Sequence, residues 1–170
     1  MSARLLAVPL QKWIDENREA LKPPVGNKVI WKDREFIVMA VGGPNARTDY
    51  HYNEGEELFY QIEGTINLKI VYNGEFQDVK IAPGDIFLLP PKTPHSPQRP
   101  SGSVGIVVER TRRPGEKDGL LWFCKKCHCR LYEEYFALTN IETQFPAVFD
   151  RFYRSEQTTC PQCGEFNGRA

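Results

Sequence analysis

The stretch that decides the fold is residues 43–64, which read GPNARTDYHYNEGEELFYQIEG. A second stretch, residues 84–99, reads GDIFLLPPKTPHSPQR. Together they contain two of the chain's three histidines, His51 and His95, and the first stretch also contains Glu57. Imidazole and carboxylate groups are common ligands of iron and zinc. The two stretches therefore predict one metal site, provided that the fold brings them together.

The residues around these stretches, from about 28 to 110, form short β-rich runs separated by glycine, proline and asparagine. The runs predicted as strands are Val29–Trp31, Phe36–Val41, Leu58–Ile62, Thr65–Tyr72, Glu75–Ile81, Ile86–Leu89 and Val104–Glu109. Asn73-Gly74 favours a hairpin, because a type I′ turn needs positive φ at both central residues. No helical patterns alternate with the strands, which disfavours a parallel α/β sheet. We predict a mainly all-β chain that closes into a small antiparallel barrel or jelly roll.

The two ends of the chain are predicted to differ from this barrel. Residues 10–21 have an amphipathic helical pattern that ends at Pro23-Pro24. Residues 112–119 are polar and turn-rich, and we interpret them as the exit from the barrel. We therefore predict two domains, a barrel with its N-terminal helix at residues 1–113 and a cysteine-bearing tail at residues 114–170. A helix is predicted in the tail near Ala147–Tyr153.

Composition excludes several classes of function. The chain has 170 residues, of which 41% are apolar, and its 22 basic residues balance 22 acidic ones. Such a balance gives no net field for nucleic acid or anionic lipid. No apolar run approaches the ~18–20 residues that cross a bilayer, and Leu5–Leu10 is too short for the apolar region of a signal peptide. We expect the cytoplasm.

The chain has five cysteines: Cys124, Cys127, Cys129, Cys160 and Cys163. An odd, clustered set without a secretory signal favours metal ligation over disulfides. The pairs Cys124/Cys127 and Cys160/Cys163 are C-x2-C turns, which suit a closed tetrahedral site of four thiolates around structural zinc or iron. Pairing of Cys127 with Cys129 is an alternative, and we do not expect His128 to be a ligand. A closed site offers no open position, so we predict a structural, rubredoxin-like tail.

The two opening stretches resemble the consensus motifs of the cupin superfamily, G-x5-H-x-H-x3-5-E-x6-G and G-x5-P-x-G-x2-H-x3-N. Asp49 stands at the first histidine position, Lys92 at the inner glycine and Arg99 at the final asparagine. In that superfamily the motifs lie on facing strands and point their ligands into the barrel. Loss of the first histidine leaves two imidazoles and one carboxylate, the facial triad of non-haem Fe(II) oxygenases. Asp49 as an additional or water-mediated ligand, and histidines that bind no metal, are the alternatives.

Three charged residues are candidates for holding a substrate. Arg47 and Arg99 each lie four residues from a predicted ligand histidine and could reach the same cavity, where a guanidinium would pair with a carboxylate. A divalent ion with one carboxylate keeps a single positive charge, which also favours an anionic chelating substrate. Surface loop arginines are the alternative. Glu109 ends an apolar run, and its position alone favours a solvated strand end.

A narrower resemblance extends over roughly residues 10–165. The strings that carry it are Gly42-Gly43-Pro44-Asn45-x-Arg47-Thr48-Asp49-Tyr50-His51, Phe59-Tyr60-Gln61, Leu88-Leu89-Pro90, Pro94-His95-Ser96-Pro97-x-Arg99, Val107-Val108-Glu109 and Leu21-Lys22-Pro23-Pro24-Val25, together with the cysteine tail. The chain resembles the 3-hydroxyanthranilate 3,4-dioxygenase family. Asp49 and Arg99 depart from the superfamily consensus but agree with this family.

The resemblance implies a role for each candidate residue. His51, Glu57 and His95 would bind catalytic Fe(II), with Arg47 near the dioxygen site. Arg99 would hold the carboxylate of 3-hydroxyanthranilate, and Glu109 would also contact this substrate. The product would be 2-amino-3-carboxymuconate 6-semialdehyde, which in this family cyclises to quinolinate, a precursor of NAD.

Short family members also carry iron at the four cysteines and are commonly homodimers, so the resemblance implies both here. Two other functions stay open at this point. One is a cupin oxygenase for a different aromatic or thiol substrate, and the other is a metal-free or metal-sensing cupin module.

Overall fold

The structure of the chain, a computed structural model, describes residues 6–23, 26–32 and 34–169. Pro24 and Val25, at the predicted end of the first helix, lie outside these residues. Within them, eleven strands form two antiparallel sheets, with one α-helix before the strands and one after them. Neither of these helices has the length and apolar character that crossing a bilayer would need.

The first helix covers part of the outer face of the barrel. Helix α1 spans Leu10–Asn17 and continues as a 3-10 turn at Arg18–Leu21. Ile14 and Leu21 are buried against Ala40 of one sheet. These bounds confirm the helical pattern predicted for residues 10–21, because the apolar positions that define that pattern are the ones that pack.

The strands are β1 (Asn27–Trp31), β2 (Phe36–Gly42), β3 (Tyr50–Tyr52), β4 (Glu57–Glu63), β5 (Ile66–Tyr72), β6 (Glu75–Ile81), β7 (Ile86–Leu89), β8 (His95–Gln98), β9 (Val104–Arg110), β10 (Asp118–Phe123) and β11 (Arg130–Phe136). One sheet has the order β1-β2-β9-β4-β7, and the other has the order β11-β10-β3-β8-β5-β6. This mainly β architecture confirms the predicted fold class. Asn73 and Gly74 have φ of 52° and 82°, as the predicted hairpin turn requires.

The interior of the barrel lies between the two sheets. Phe59 and Val107 from the first sheet pack against Leu68, Ile70 and Ile81 from the second. In β5 the buried residues alternate with more exposed ones, which is the pattern of a strand with one face on a core. The sheets therefore face each other across an apolar layer.

The tail has a separate apolar cluster. Helix α2 spans Ile141–Tyr153, longer than the predicted Ala147–Tyr153 because it begins before Pro146. The ring of Trp122 in β10 stacks on Phe152 of α2, with ring centroids 4.5 Å apart. The helix is therefore held against the strand by aromatic packing.

The tail is also joined to the barrel through a continuous sheet. β10 pairs with β3, and β11 pairs with β10. Residues 112–119, which the sequence indicates as the exit from the barrel, thus lead back into the barrel's second sheet. The predicted boundary after residue 113 falls in the loop between β9 and β10, and the two-domain division stays a prediction.

Candidate active site

Three potential metal ligands meet inside the barrel, each from a different strand. His51 lies in β3, Glu57 in β4 and His95 in β8, and all three are buried. One donor atom from each lies within 4.8 Å of the other two. His51 is directly opposite His95 in the pairing of β3 with β8, so the sheet register itself brings the two rings together. The donors that the sequence singled out therefore converge.

Hydrogen bonds orient each of the three ligands. The Nδ1–H of His95 donates to the carbonyl of Thr93 at 3.0 Å, which leaves Nε2 facing Glu57 Oε2 at 3.3 Å. The Nε2–H of His51 donates to Asp118 Oδ2 at 2.7 Å, so Nδ1 is the ring nitrogen that this hydrogen bond leaves unused. The side-chain amide of Asn53 donates to Glu57 Oε2 at 3.2 Å.

The ionisation state of Glu57 suits a metal ligand. Burial alone would raise its pKa, but the charges of His95, His51 and Arg112 and the hydrogen bond with His95 lower the pKa to about 2. Glu57 is therefore a carboxylate at neutral pH, even though it is buried.

Asp118 and Arg112 were not among the sequence-predicted site residues. Asp118 is the first residue of β10 and is fully buried. Its Oδ1 and Oδ2 accept hydrogen bonds from Arg112 Nε at 2.9 Å and from the terminal nitrogen Nη2 at 2.6 Å. Burial tends to raise the pKa of Asp118, but its hydrogen bonds to His51 and Arg112 lower it to about 2. The apolar run at residues 119–123 was a sequence signal for a buried strand beginning here.

The Asp49 carboxylate pairs with Arg47 and does not join the candidate metal ligands. Arg47 Nε donates to Asp49 Oδ1 at 3.2 Å, and a terminal nitrogen of Arg47 contacts the second carboxylate oxygen. Asp49 is buried, and it is not part of the converging donor group. This arrangement favours the family interpretation of Asp49 over the alternative of an additional ligand.

Arg99 is a buried cation with an unused donor. Its side chain is buried, and its Nη1 atom has no hydrogen-bond partner among the described residues. Burial lowers its pKa to about 10, so the group is still charged at neutral pH. Asn45 accepts from the Arg99 backbone N–H at 2.9 Å and fixes the residue's position. The predicted surface-loop alternative for Arg99 is wrong because the residue lies inside the barrel.

Glu109 is also buried, which contradicts the solvated strand end favoured by its position alone. It lies directly opposite Glu57 in the pairing of β9 with β4. Its Oε1 is 2.6 Å from Arg112 Nη1. Burial and the charge of Glu57 raise the pKa of Glu109, while Arg112 opposes that shift.

A cavity of about 850 Å³ adjoins the candidate site. Val41, Pro44 and Arg47 line one side of it, and Phe145 and Phe149 of α2 line the other. The triad does not line this cavity. The ring of Phe145, however, has its centroid 5.3 Å from that of His51. Phe145, one of the residues that line the cavity, therefore brings it close to the triad.

The second donor group is formed by Cys124, Cys127, Cys160 and Cys163, whose sulfur atoms lie within 4.8 Å of one another. The Sγ–Sγ distances are 3.6 Å for Cys124–Cys163 and 3.5 Å for Cys127–Cys160. Cys124 and Cys127 lie in the turn between β10 and β11. Cys160 and Cys163 lie in the turn after the 3-10 turn at Glu156–Thr158.

The neighbouring residues Cys129 and His128 do not join this group. Cys129 is outside the set of converging sulfurs, and its Sγ lies 3.5 Å from the carbonyl of Arg130. The ring of His128 stacks on Phe76 of β6 at 4.1 Å. The four sulfurs thus match the predicted set, and the alternative pairing of Cys127 with Cys129 is disfavoured.

Comparison with known proteins gives a consistent family. Residues 2–153 match a family model described as 3-hydroxyanthranilic acid dioxygenase. A 3-hydroxyanthranilate 3,4-dioxygenase of Xanthomonas euvesicatoria is 58% identical over 161 residues, covering 94% of this chain and 91% of that protein. One of Ruegeria pomeroyi is 50% identical over 167 residues, covering 97% and 93%.

Among solved structures, a cupin-2 domain containing protein of Shewanella frigidimarina has a TM-score of 0.46 at 16% identity, covering 58% of this chain and 92% of that one. A score this low adds nothing to the strand topology described above.

Proposed function

The chain belongs to the 3-hydroxyanthranilic acid dioxygenase family, and on that premise we propose that it cleaves 3-hydroxyanthranilate with dioxygen at Fe(II) held by His51, Glu57 and His95. The product is 2-amino-3-carboxymuconate 6-semialdehyde, the precursor of quinolinate in this family. The observation that carries the proposal is the convergence of these three buried donors from three strands.

The donor set fits Fe(II). Two imidazoles and one carboxylate form the facial arrangement used by non-haem iron oxygenases, and they leave about three positions of an octahedral ion for substrate and dioxygen. When bound, Fe(II) supplies the redox chemistry that joins dioxygen to the aromatic ring. The chain's own residues then have to bind the substrate, orient it and exclude water.

Charge balance supports an anionic substrate. The buried carboxylates of Glu57, Glu109 and Asp118 are opposed by the guanidinium groups of Arg99 and Arg112, which leaves one net negative charge. A divalent ion changes this to one positive charge. One aromatic carboxylate neutralises the site, which matters because an unbalanced buried charge is costly.

Each substrate-facing residue has a separate task. Arg99 donates through its free Nη1 to the substrate carboxylate. Glu109, opposite Glu57 in the sheet, accepts a hydrogen bond from the hydroxyl or amino group next to the metal. Arg47, which lines the cavity, stabilises the negative charge that develops on oxygen.

The four cysteines hold a second metal with a structural role, either iron or zinc. They fill all four positions of a tetrahedral ion, so no position is left for a substrate. The catalytic groups come from residues 1–113 and the structural metal is held by residues 114–170, which also supply Asp118, the acceptor of the hydrogen bond from His51. The cytoplasm is the proposed location.

A homodimer is the proposed assembly. Five apolar residues, one from each strand of the first sheet, lie side by side across its outer face: Trp31, Val38, Val108, Leu58 and Leu88. Trp31 and Leu88 are 46% and 52% exposed. An apolar row across a sheet is typical of an interface between subunits. Sedimentation of the wild type and of Leu88→Asp tests it, and a monomeric wild type would exclude it.

Oxygen uptake tests the proposed reaction. Protein reconstituted with Fe(II) is expected to consume one dioxygen per 3-hydroxyanthranilate, and metal-free protein none. 2-Aminobenzoate, which lacks the hydroxyl, serves as the control substrate and is expected to cause no uptake. A folded, iron-loaded protein that is inert toward 3-hydroxyanthranilate but active on another aromatic or thiol substrate would favour the alternative cupin oxygenase.

A further inference from the structure

A buried chain of charged groups runs from the metal ligand to the substrate side of the site. The His51 ring donates to Asp118, Asp118 accepts from Arg112, and Arg112 contacts Glu109. The three contacts measure 2.7, 2.6 and 2.6 Å. Asp118 is fully buried, and the Arg112 side chain is only 17% exposed. Neither residue contributes a metal ligand.

Arg112 divides its donors between the two carboxylates. Nε and Nη2 bind both oxygens of Asp118 in a fork, and Nη1 remains for Glu109. A planar guanidinium fixes the angle between the two carboxylates, which a lysine ammonium cannot do. The position of Glu109 is therefore tied to that of Asp118, and through Asp118 to the His51 ring.

The arrangement fixes the position of the carboxylate that holds the His51 ring. Asp118 accepts from the His51 ring at 2.7 Å, and the Arg112 fork holds both of its oxygens, at 2.9 and 2.6 Å. The orientation of the His51 ring therefore depends on Arg112 as well as on Asp118. Contacts of this kind around a ligand histidine typically affect metal affinity by about 10- to 100-fold.

We propose that Arg112 is a positioning residue that couples the metal ligand His51 to the substrate-holding Glu109, with Asp118 as the link. The coupling rests on the proposed function, because it assigns metal to His51 and substrate to Glu109. It predicts that one substitution at residue 112 weakens two separate binding events. A role in folding alone would weaken neither in the correctly folded fraction.

Arg110 provides a matched control. It lies two residues away, is 22% exposed, and binds Glu116 in a similar fork at 2.9 and 2.7 Å. Glu116, however, contacts Arg110 and the Arg113 backbone, and in the part of the chain that the structure describes it contacts none of the metal ligands. Arg110→Met thus removes an equivalent ion pair away from the site.

Two binding constants are measured without turnover. Co(II) is titrated into the protein, and its ligand-field absorption at the histidine site lacks the intense thiolate charge-transfer bands that mark the four cysteines. 3-Hydroxyanthranilate is then titrated into the Co(II)-loaded protein in the absence of dioxygen. Arg112→Met is expected to weaken Co(II) binding about 10- to 100-fold and to weaken 3-hydroxyanthranilate binding as well. Arg110→Met is expected to change neither constant by more than about twofold.

Substitutions at the two ends of the chain of charges separate its halves. Asp118→Asn is expected to weaken chiefly Co(II) binding, and Glu109→Gln chiefly 3-hydroxyanthranilate binding. If Arg112→Met does not fold, Arg112→Gln keeps some N–H donors without the charge and is expected to weaken both constants. Wild-type values of both constants in a folded Arg112 variant would overturn the coupling. A wild type that binds no Co(II) at a nitrogen and oxygen site would instead refute the proposed function.

Discussion

The two candidate metal sites are built from different parts of the fold. In the barrel, His51, Glu57 and His95 lie on paired strands, and other protein groups hydrogen-bond to each of them. In the tail, the four sulfurs lie in turns, and the Sγ–Sγ distances between the two turns are 3.5 and 3.6 Å. We therefore expect the barrel site to be organised before a metal arrives, and the tail site to depend on a metal to hold its two turns together.

This difference predicts what the free energy of metal binding would stabilise at each site. In the barrel, strand pairing orders the candidate ligands, so a bound ion would remain available for chemistry. In the tail, a bound ion would itself supply a cross-link between two cysteine pairs that are separated by 32 residues of chain. The predictions below test this contrast, beginning with the largest expected effect.

Loss of the tail's metal is expected to disrupt folding. Cys160→Ser removes one of four thiolates, and structural zinc sites contribute on the order of 10 kcal/mol to the folding of small motifs. We expect α2 to detach and to become sensitive to proteolysis together with the two cysteine-bearing turns, while β10 stays paired with β3 and the barrel retains its metal. Cys129→Ser is the matched control, because this cysteine lies outside the donor group. A protease-resistant tail in metal-free Cys160→Ser would contradict the expectation that the tail needs a metal to fold.

Loss of the barrel's metal is expected to leave the fold intact. His51→Ala removes one of three ligands but leaves Asp118 paired with Arg112. In protein whose four-cysteine site is already loaded with metal, added Fe(II) should raise the melting temperature of the wild type and have no such effect on His51→Ala, since a ligand stabilises only the state that binds it. His128→Ala is the control histidine, as it stacks on Phe76 and is not a predicted ligand. Full iron content at the barrel site of His51→Ala would remove it from the ligand set.

The barrel site is also expected to distinguish substrates by charge. Arg99→Ala should weaken 3-hydroxyanthranilate binding by about 2–5 kcal/mol, which corresponds to roughly 30-fold to several thousand-fold in the dissociation constant. The same variant should bind 2-aminophenol, which lacks the carboxylate, about as well as the wild type does. Anaerobic titration of the metal-loaded proteins measures both constants. An equal loss for both compounds would assign Arg99 a structural role.

The smallest expected effect concerns the contact between α2 and the sheet. Arg151 in α2 donates to both oxygens of Glu134 in β11, and its hydrogen bond lowers the pKa of Glu134. Exposed pairs contribute about 0.2–1 kcal/mol, so Glu134→Gln should reduce the free energy of unfolding by no more than that. Denaturant unfolding measures it, with Glu133→Gln as the control because its bonds to Arg130 and Tyr135 stay within β11.

The pH dependence of this contact has a defined sign. The pKa of Glu134 is lower in the folded chain than in the unfolded one. The stabilisation is therefore fully present above the ordinary glutamate pKa of 4.5 and is lost as the pH falls through the lowered value. Glu134→Gln should remove this part of the pH dependence, and a larger effect at neutral pH than in acid would agree with it.

The sequence predicted seven strands and the candidate ligands because both leave local patterns. The seven predicted strands were found with end shifts of at most two residues, and the Asn73-Gly74 turn has the expected backbone. Four strands were not predicted: β10 and β11 in the tail, and the short strands β3 and β8 in the barrel. β3 and β8 have only three and four residues and include polar ones, so no alternation of apolar residues marks them.

Contacts between distant segments were not predictable in this way. Asp118 lies 67 residues after His51, and its hydrogen bond to the His51 ring depends on the pairing of β10 with β3. Arg112 lies in a turn-rich run whose composition favours solvent. Glu109 was assigned to the site through family resemblance, because its burial follows from sheet order and not from its neighbours in the chain.

The pairing of β10 with β3 limits how far this chain can be shortened. β3 is only three residues long and has β8 on one side and β10 on the other. A version ending at residue 113 would leave one side of β3 with unpaired backbone N–H and C=O groups, and exposed strand edges of this kind recruit other chains into aggregates. A compact single-metal catalyst made from this barrel would therefore need a substitute for β10, and not merely the removal of the cysteines.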